Sequence, residues 1–240
     1  MKIERPHDWH LNIDQTLAIQ RRPQAKVSRS GQVSNPRFIA GVGISAGKAQ
    51  GMAQVAAIVL SYPAPRLLET SLAQGKLDFP YILGLLSYRE LLLILAACHK
   101  LSVTPDLILV DGQGVAHPRR MGLACHLGLF LDRPTIGCAK SRFCASYQAP
   151  GDKSGSYSEV VDKGEIMGVA LQPRPSVKPV YVSTGHKIDL VNSTYWVLKC
   201  CRGYRLPEPA RLAHLVVGGS LKQEKNLVVP EFSHQWNLFN

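Results

Sequence analysis

The chain has 240 residues, 45% of them hydrophobic, and its 28 Lys and Arg outnumber 17 Asp and Glu to give a formal charge of +11. This length suits one large α/β domain, and the apolar fraction excludes a chain disordered throughout. The longest apolar runs fall far short of the roughly 18 residues that span a bilayer, while the cationic excess favours a polyanionic partner, nucleic acid first among them.

Residues 1–36 are polar and basic, and RRPQAKVSRSGQVSNP reads as a poorly ordered arm with a short helix over Asp14 to Arg21. Ordered structure is predicted to begin with a strand from Phe38 to Ile44. A glycine-rich link leads to a second strand, Gln54 to Ser61, and after Pro63-Ala64-Pro65 comes a third, Arg66 to Ala73. Such short connections predict an antiparallel meander. From Ser87 to Leu101 apolar residues fill most faces without Gly or Pro, which predicts a buried helix. Ser87 and Glu90 have the spacing of a capping box at its start.

Beyond Pro105, Asp106 to Asp111 reads as a fourth strand, expected to run parallel to the first. A helix from Met121 to Leu131 and a short strand from Thr135 to Cys138 follow. Residues 144–164, rich in Gly, Ser and charge, read as a loop. Then come a strand over Val180 to Ser183, a helix over Asp189 to Cys201 and, after Pro207, a last helix from Glu208 to Val217. The expected organisation is a basic arm (1–36), one domain (37–218) and a polar tail (219–240). Three antiparallel strands, a helix, a parallel strand and further helix–strand units is the order of the ribonuclease H-like α/β fold, a mixed central sheet with helices on both faces.

The six cysteines show no CxxC spacing, several lie inside apolar runs, and the start MKIERPHDWH carries no apolar leader. Free thiols and a reducing, cytoplasmic setting are therefore expected.

The stretch with the strongest chemical signal runs from 107 to 140. The apolar run Leu107–Val110 ends abruptly on Asp111, and Gly112-Gln113-Gly114 is followed by His117, Arg119 and Arg120. A buried strand that stops on a carboxylate and opens into a glycine turn presents an acid at the carboxyl edge of a sheet. Potential cations close behind it suit a polyanionic substrate. Asp-Gly is also a common turn dipeptide, so the surrounding strings have to decide.

Five strings belong together: AGVGIS (40–45), FPYILGLLSYRE (79–90), VDGQGVAHPRR (110–120), GCAK (137–140) and GYRLPEPARLAH (203–214). In order and content they resemble the endonuclease V family, over roughly residues 38–217. The resemblance implies an Mg²⁺-dependent nuclease, with Mn²⁺ able to substitute, that acts on DNA containing deoxyinosine and cuts the second phosphodiester bond on the 3′ side of the lesion. Inosine-containing RNA stays open as a substrate, and a monomer is expected. By position, Glu90 and Asp111 match the family's metal-binding carboxylates, and His214 matches the final-helix residue that serves the same ion. Lys140 and His117 match basic residues at the reaction centre. Tyr81, between Pro80 and Ile82, matches the wedge that opens the strand beside the lesion, and Arg119 and Arg120 are expected to meet phosphates.

One position departs from the family. The first strand is expected to supply an Asp as the central metal ligand, and here the residue is Gly43, with Val42, Ile44 and Ser45 offering no carboxylate. Losing one of two or three anionic ligands removes charge and geometry from a Mg²⁺ site. Two readings follow: a working nuclease in which water or Ser45 fills the gap, or a catalytically impaired binder of inosine-containing nucleic acid. The wedge departs mildly, with Leu83 where a second proline is usual.

Overall fold

The computed structural model describes residue 3 and residues 12–46 and 51–220. An eight-stranded mixed sheet forms its centre. The first three strands, β1 (Phe38–Ala46), β2 (Met52–Ser61) and β3 (Leu67–Lys76), form the expected antiparallel meander. The helix α2 (Leu86–His99), numbered after an N-terminal helix α1 (Ile13–Gln24), then crosses over to β4 (Leu107–Val110), which pairs parallel with β1. After α3 (Leu123–Leu131), β5 (Thr135–Ala139) pairs parallel with β4.

The stretch expected to be a loop contains β6 (Tyr157–Asp162), joined by a tight turn to β7 (Glu165–Leu171). This hairpin extends the sheet beyond β8 (Val180–His186), giving the order β3-β2-β1-β4-β5-β8-β7-β6. Its turn uses Lys163 and Gly164, both with positive φ, which suits the two-residue connection that matches strand twist. Charge and Gly content hid the hairpin because β6 lies at the sheet edge with one face in water.

Strand alternation divides the core. Ala40, Val42, Ile108 and Val110 face α2 and α3, packing with Leu91, Ile94, Leu127 and Phe130. On the opposite face Ile39, Leu107 and Leu109 pack with Trp196 and Val197 of α4 (Leu190–Cys200). The last helix, α5 (Glu208–Val217), covers β1 and β2 on that same face. The ribonuclease H-like arrangement, with helices on both faces, is therefore the observed one.

Two expectations need correction. Residues 12–36 are not a loose arm: α1 is 12 residues long, and the segment after it is hydrogen-bonded onto the domain. Lys187 N donates to Ser28 O, Asp189 N to Gly31 O, and the Trp196 indole to Val33 O. Those backbone groups meet partners far along the chain, 163 positions away for Val33 and Trp196, so no local signal announces them. Second, α2 begins at Leu86, so Ser87 sits inside its first turn and caps nothing. The expected tail falls largely on 221–240, outside the described residues, as does most of the arm before Asn12.

Candidate active site

The carboxyl ends of β1, β4 and β5 lie side by side, and the chain places its chemistry there. Val42 pairs with Val110 and Val110 with Gly137, so position 43, Asp111 and Lys140 emerge on adjacent strands at one sheet edge. Asp111 N donates to Val42 O, which ties the acid to β1. By alternation Gly43 and Asp111 belong to the face that α5 covers.

Lys140 Nζ lies 2.6 Å from Asp111 Oδ2, with the carboxylate side chain 15% exposed and the lysine 37%. The backbone under this lysine is fixed by Arg205, whose guanidinium donates to Lys140 O and, at 2.9 Å, to Pro179 O. Arg205 belongs to the GYRLPEP string, and sequence reading assigned it no role. Its neighbour Glu208 is almost fully buried and takes both oxygens to Arg211, at 2.7 and 2.6 Å. The string is thus a scaffold for the sheet edge.

Glu90 reaches the same place from α2. It lines, with Asp111, Lys140, Tyr81, His117 and Gln113, a cavity of about 410 Å³, inside the range of roughly 300–1,000 Å³ typical of ligand pockets. Burial raises the Glu90 carboxyl to about 7, opposed by the Arg89 guanidinium and reinforced by the Asp111 carboxylate. Two acids therefore share one pocket, and one of them, Glu90, exchanges its proton near neutrality.

Gly43 contributes no side chain, and the space is nearly closed. A Cβ at that position would stand 3.0 Å from His214 N and 3.1 Å from the Ala213 carbonyl carbon. His214 is thus next to position 43 through its backbone, while its side chain is exposed on α5. Of the three expected metal ligands, the structure brings Glu90 and Asp111 together and leaves His214 outside. Among the described residues no cluster of three or more His, Cys, Asp or Glu is placed to hold an ion. Two carboxylates facing one pocket still fit a hard divalent cation that keeps several waters and shares substrate oxygens, but only as a depleted set.

His117 is not a cation. Burial, together with Arg119, lowers it to about 4, so the ring is neutral. Its Nδ1 accepts from Arg119 N at 3.1 Å, which makes Nε2 the protonated nitrogen, and that N–H faces Gly84 O at 3.1 Å. Stacked against Phe143 with ring centroids 5.3 Å apart, the neutral imidazole forms part of the wall of the pocket that Glu90 and Asp111 also line.

The two arginines turn inward as well. Arg119 donates to Gln20 Oε1 and, at 2.8 Å, to Gly84 O. Arg120, held at a φ of 56°, pairs with Asp162 at 3.0 Å and with Glu165 at 2.8 Å across the β6–β7 hairpin. A phosphate would have to compete with these internal partners. By contrast Tyr81 is 70% exposed and Leu83 66%, with Pro80 exposed and Ile82 half-buried. An apolar, aromatic tip standing in water at the mouth of a pocket is unusual for a folding role.

The sequence model of the endonuclease V family matches residues 21–215. The chain belongs to the endonuclease V family. Endonuclease V of Dehalococcoides mccartyi strain BAV1 is 46% identical over 215 residues, covering 90% of this chain and 96% of that protein. Endonuclease V of Gloeobacter violaceus is 47% identical over 213 residues, covering 87% and 86%. Among solved structures, Endonuclease V of Bacillus subtilis superposes with a TM-score of 0.88 at 32% identity, covering 91% of this chain and 96% of that one. Ciona intestinalis Endonuclease V, solved in complex with a 24mer DNA containing an inosine followed by a ribo-adenosine, superposes at 0.75 with 26% identity, covering 86% and 96%. Membership makes the protein a nuclease. Among the described residues no helix is long and apolar enough to cross a membrane.

Proposed function

We propose that this endonuclease V acts, as a monomer, on DNA containing deoxyinosine, hydrolysing the second phosphodiester bond 3′ to the lesion in a Mg²⁺-dependent reaction, with Mn²⁺ as a substitute. The observation that carries the reading is one pocket of about 410 Å³ lined at once by Tyr81, Glu90, Asp111 and Lys140. An exposed aromatic at the rim suits insertion where a base leaves the stack, a step that costs a few kcal/mol and least at a mispaired base. The pocket behind it receives the extruded base.

Glu90 and Asp111 are the residues that would hold a divalent ion, which supplies polarisation of the phosphoryl oxygen and a more acidic water. The Glu90 carboxylate, on the α2 side of the pocket, would orient the attacking water beside that ion. Lys140, already oriented by Asp111 and by the Arg205 contact to its carbonyl, offers its ammonium to charge developing on the phosphate. Asp111 orients that ammonium.

Gly43 favours a second reading, a family member that retains lesion binding with impaired cutting. One experiment separates the two. A deoxyinosine duplex is incubated with the protein across a Mg²⁺ and Mn²⁺ titration, beside Gly43→Asp. Nicking by the unaltered chain that grows with metal concentration supports the nuclease. Selective binding without nicking, with cutting restored by the aspartate, supports the binder. Neither binding nor nicking of the inosine strand would overturn both.

A further inference from the structure

Behind the rim of the pocket lies a buried polar junction to which neither the resemblance nor the family strings assign a role. Its centre is Gln20 on α1, fully buried. Gln20 Nε2 donates to Gly84 O at 3.1 Å and to Met121 O at 3.1 Å, while Oε1 accepts from Arg119 Nε. The amide orientation is not arbitrary. Carbonyls only accept and a guanidinium only donates, so the flipped amide would face like with like at all three contacts.

The two carbonyls belong to two separate segments of the pocket lining. Gly84 closes the Pro80–Leu83 tip, and Met121 opens the turn into α3; both line the cavity. The Gly84 carbonyl is a three-donor acceptor, taking Gln20, His117 and Arg119 together. Gly84 itself has a φ of 87°, and a Cβ there would stand 2.6 Å from an Arg119 nitrogen, so only glycine fits. Met121 O has Gln20 as its one side-chain donor among the described contacts. One amide, 64 positions before Gly84 in the chain, thus joins the base of the aromatic tip to the Met121 segment of the pocket lining, beside the His117 and Arg119 contacts to the same Gly84 oxygen.

We infer that Gln20 is a positioning residue for base selection: it fixes the distance between the Tyr81 tip and the Met121 wall, and thereby the width of the slot that receives a base. This rests on the proposed reading of the pocket as the base-binding site. If the width were unset, the tip would still touch nucleic acid, and the preference for one base over another would fall.

Two substitutions separate this from a general packing role. Gln20→Met keeps length and volume and loses every hydrogen bond. Gln20→Glu keeps an acceptor for Arg119 but turns a carboxylate on both carbonyls. Binding of a fluorescent strand carrying one deoxyinosine, and of its deoxyadenosine counterpart, is measured by anisotropy in Mg²⁺ within a time short of cleavage, with thermal melting alongside. Both variants are expected to lose about tenfold or more of the inosine preference, with affinity for the deoxyadenosine strand within about twofold of the unaltered chain. Preference kept within about twofold in both variants would overturn the inference, and so would loss in Gln20→Met with retention in Gln20→Glu, which would make the Arg119 contact the operative one. Should either chain fail to fold, Gln20→Asn, with the same amide on a shorter stem, takes its place and is expected to lose preference without loss of overall affinity; full preference would overturn the inference. An unaltered chain with no inosine preference would instead refute the reading of the pocket itself.

Discussion

The backbone nitrogen of His214 lies 3.0 Å from where a Cβ at Gly43 would stand. Positions 43 and 214, which the family resemblance assigns to one metal site, are thus neighbours here, and α5 has settled against a bare strand. At Gly41, two residues earlier on the same face, a Cβ would fall 2.0 Å from the Pro209 carbonyl. Position 41 requires glycine for packing. Position 43 admits a side chain if α5 yields by a few tenths of an ångström.

This contrast gives the first prediction. Gly41→Ala should melt clearly lower, with overpacking of this kind costing about 1–3 kcal/mol or more, whereas Gly43→Asp should melt only slightly lower than the unaltered chain. Supporting residues around metal ligands are commonly worth about 10–100-fold in affinity, so a direct carboxylate at 43 should lower the Mg²⁺ concentration for half-maximal nicking by at least that factor. A metal titration of nicking, with melting curves for all three chains, checks both halves; an unchanged titration would remove position 43 from the metal site.

Asp111→Ala should abolish nicking while the affinity for a deoxyinosine strand stays within about fivefold, because the acid serves the reacting phosphate rather than the base. The same change frees Lys140 from its 2.6 Å partner. Residual nicking at the unaltered rate, scored by gel, would show that Asp111 is a turn residue only.

Tyr81→Ala should weaken discrimination between inosine and normal bases by about tenfold and leave the melting temperature unchanged, since a ring 70% exposed contributes little to the core. Competition binding with matched strands reads this out. An intact preference would refute the wedge role.

The fourth prediction concerns pH. The Glu90 carboxyl is raised by burial to about 7, from 4.5, so the native state holds its proton where the unfolded chain has lost it. Below about 4.5 both states are protonated and the group is neutral to stability. Between about 4.5 and 7 stability should fall as pH rises, and above 7 the full cost of a buried carboxylate applies. Glu90→Gln should flatten the metal-free melting temperature over that window. Nicking should run the other way, rising through pH 7 as the carboxylate forms and can hold an ion; coincident pH profiles for the unaltered chain and Glu90→Gln would reject the assignment.

Much of the architecture was legible because each signal was local. Apolar stretches bounded by a glycine-rich link and by Pro63-Ala64-Pro65 marked β1 and β2, the apolar run 107–110 marked a buried strand, and Asp111 marked its end. What stayed hidden was non-local. The β6–β7 hairpin looks like a charged loop until Arg120 is seen bridging Asp162 and Glu165. Gln20 sits in a stretch whose composition suggests disorder, and its three partners come from positions 84, 119 and 121. Ser87 and Glu90 have capping-box spacing, yet the helix starts a residue earlier and Glu90 turns into the pocket. His117 could be counted as a cation from sequence only because burial and two backbone bonds are invisible there.

The inward-turned arginines bear on how tightly the chain holds a polyelectrolyte. Arg119, Arg120, Arg205 and Arg211 each neutralise a carboxylate or cap a main-chain oxygen within the fold, and Lys140 is matched by Asp111. The four arginines are thus already engaged within the fold, and each would have to leave an internal partner to displace a condensed counterion. Those four side chains should therefore add little to the slope of log affinity against log salt, about 0.9 per phosphate contacted on a duplex, leaving shape at the pocket mouth to weigh more in where the protein stops.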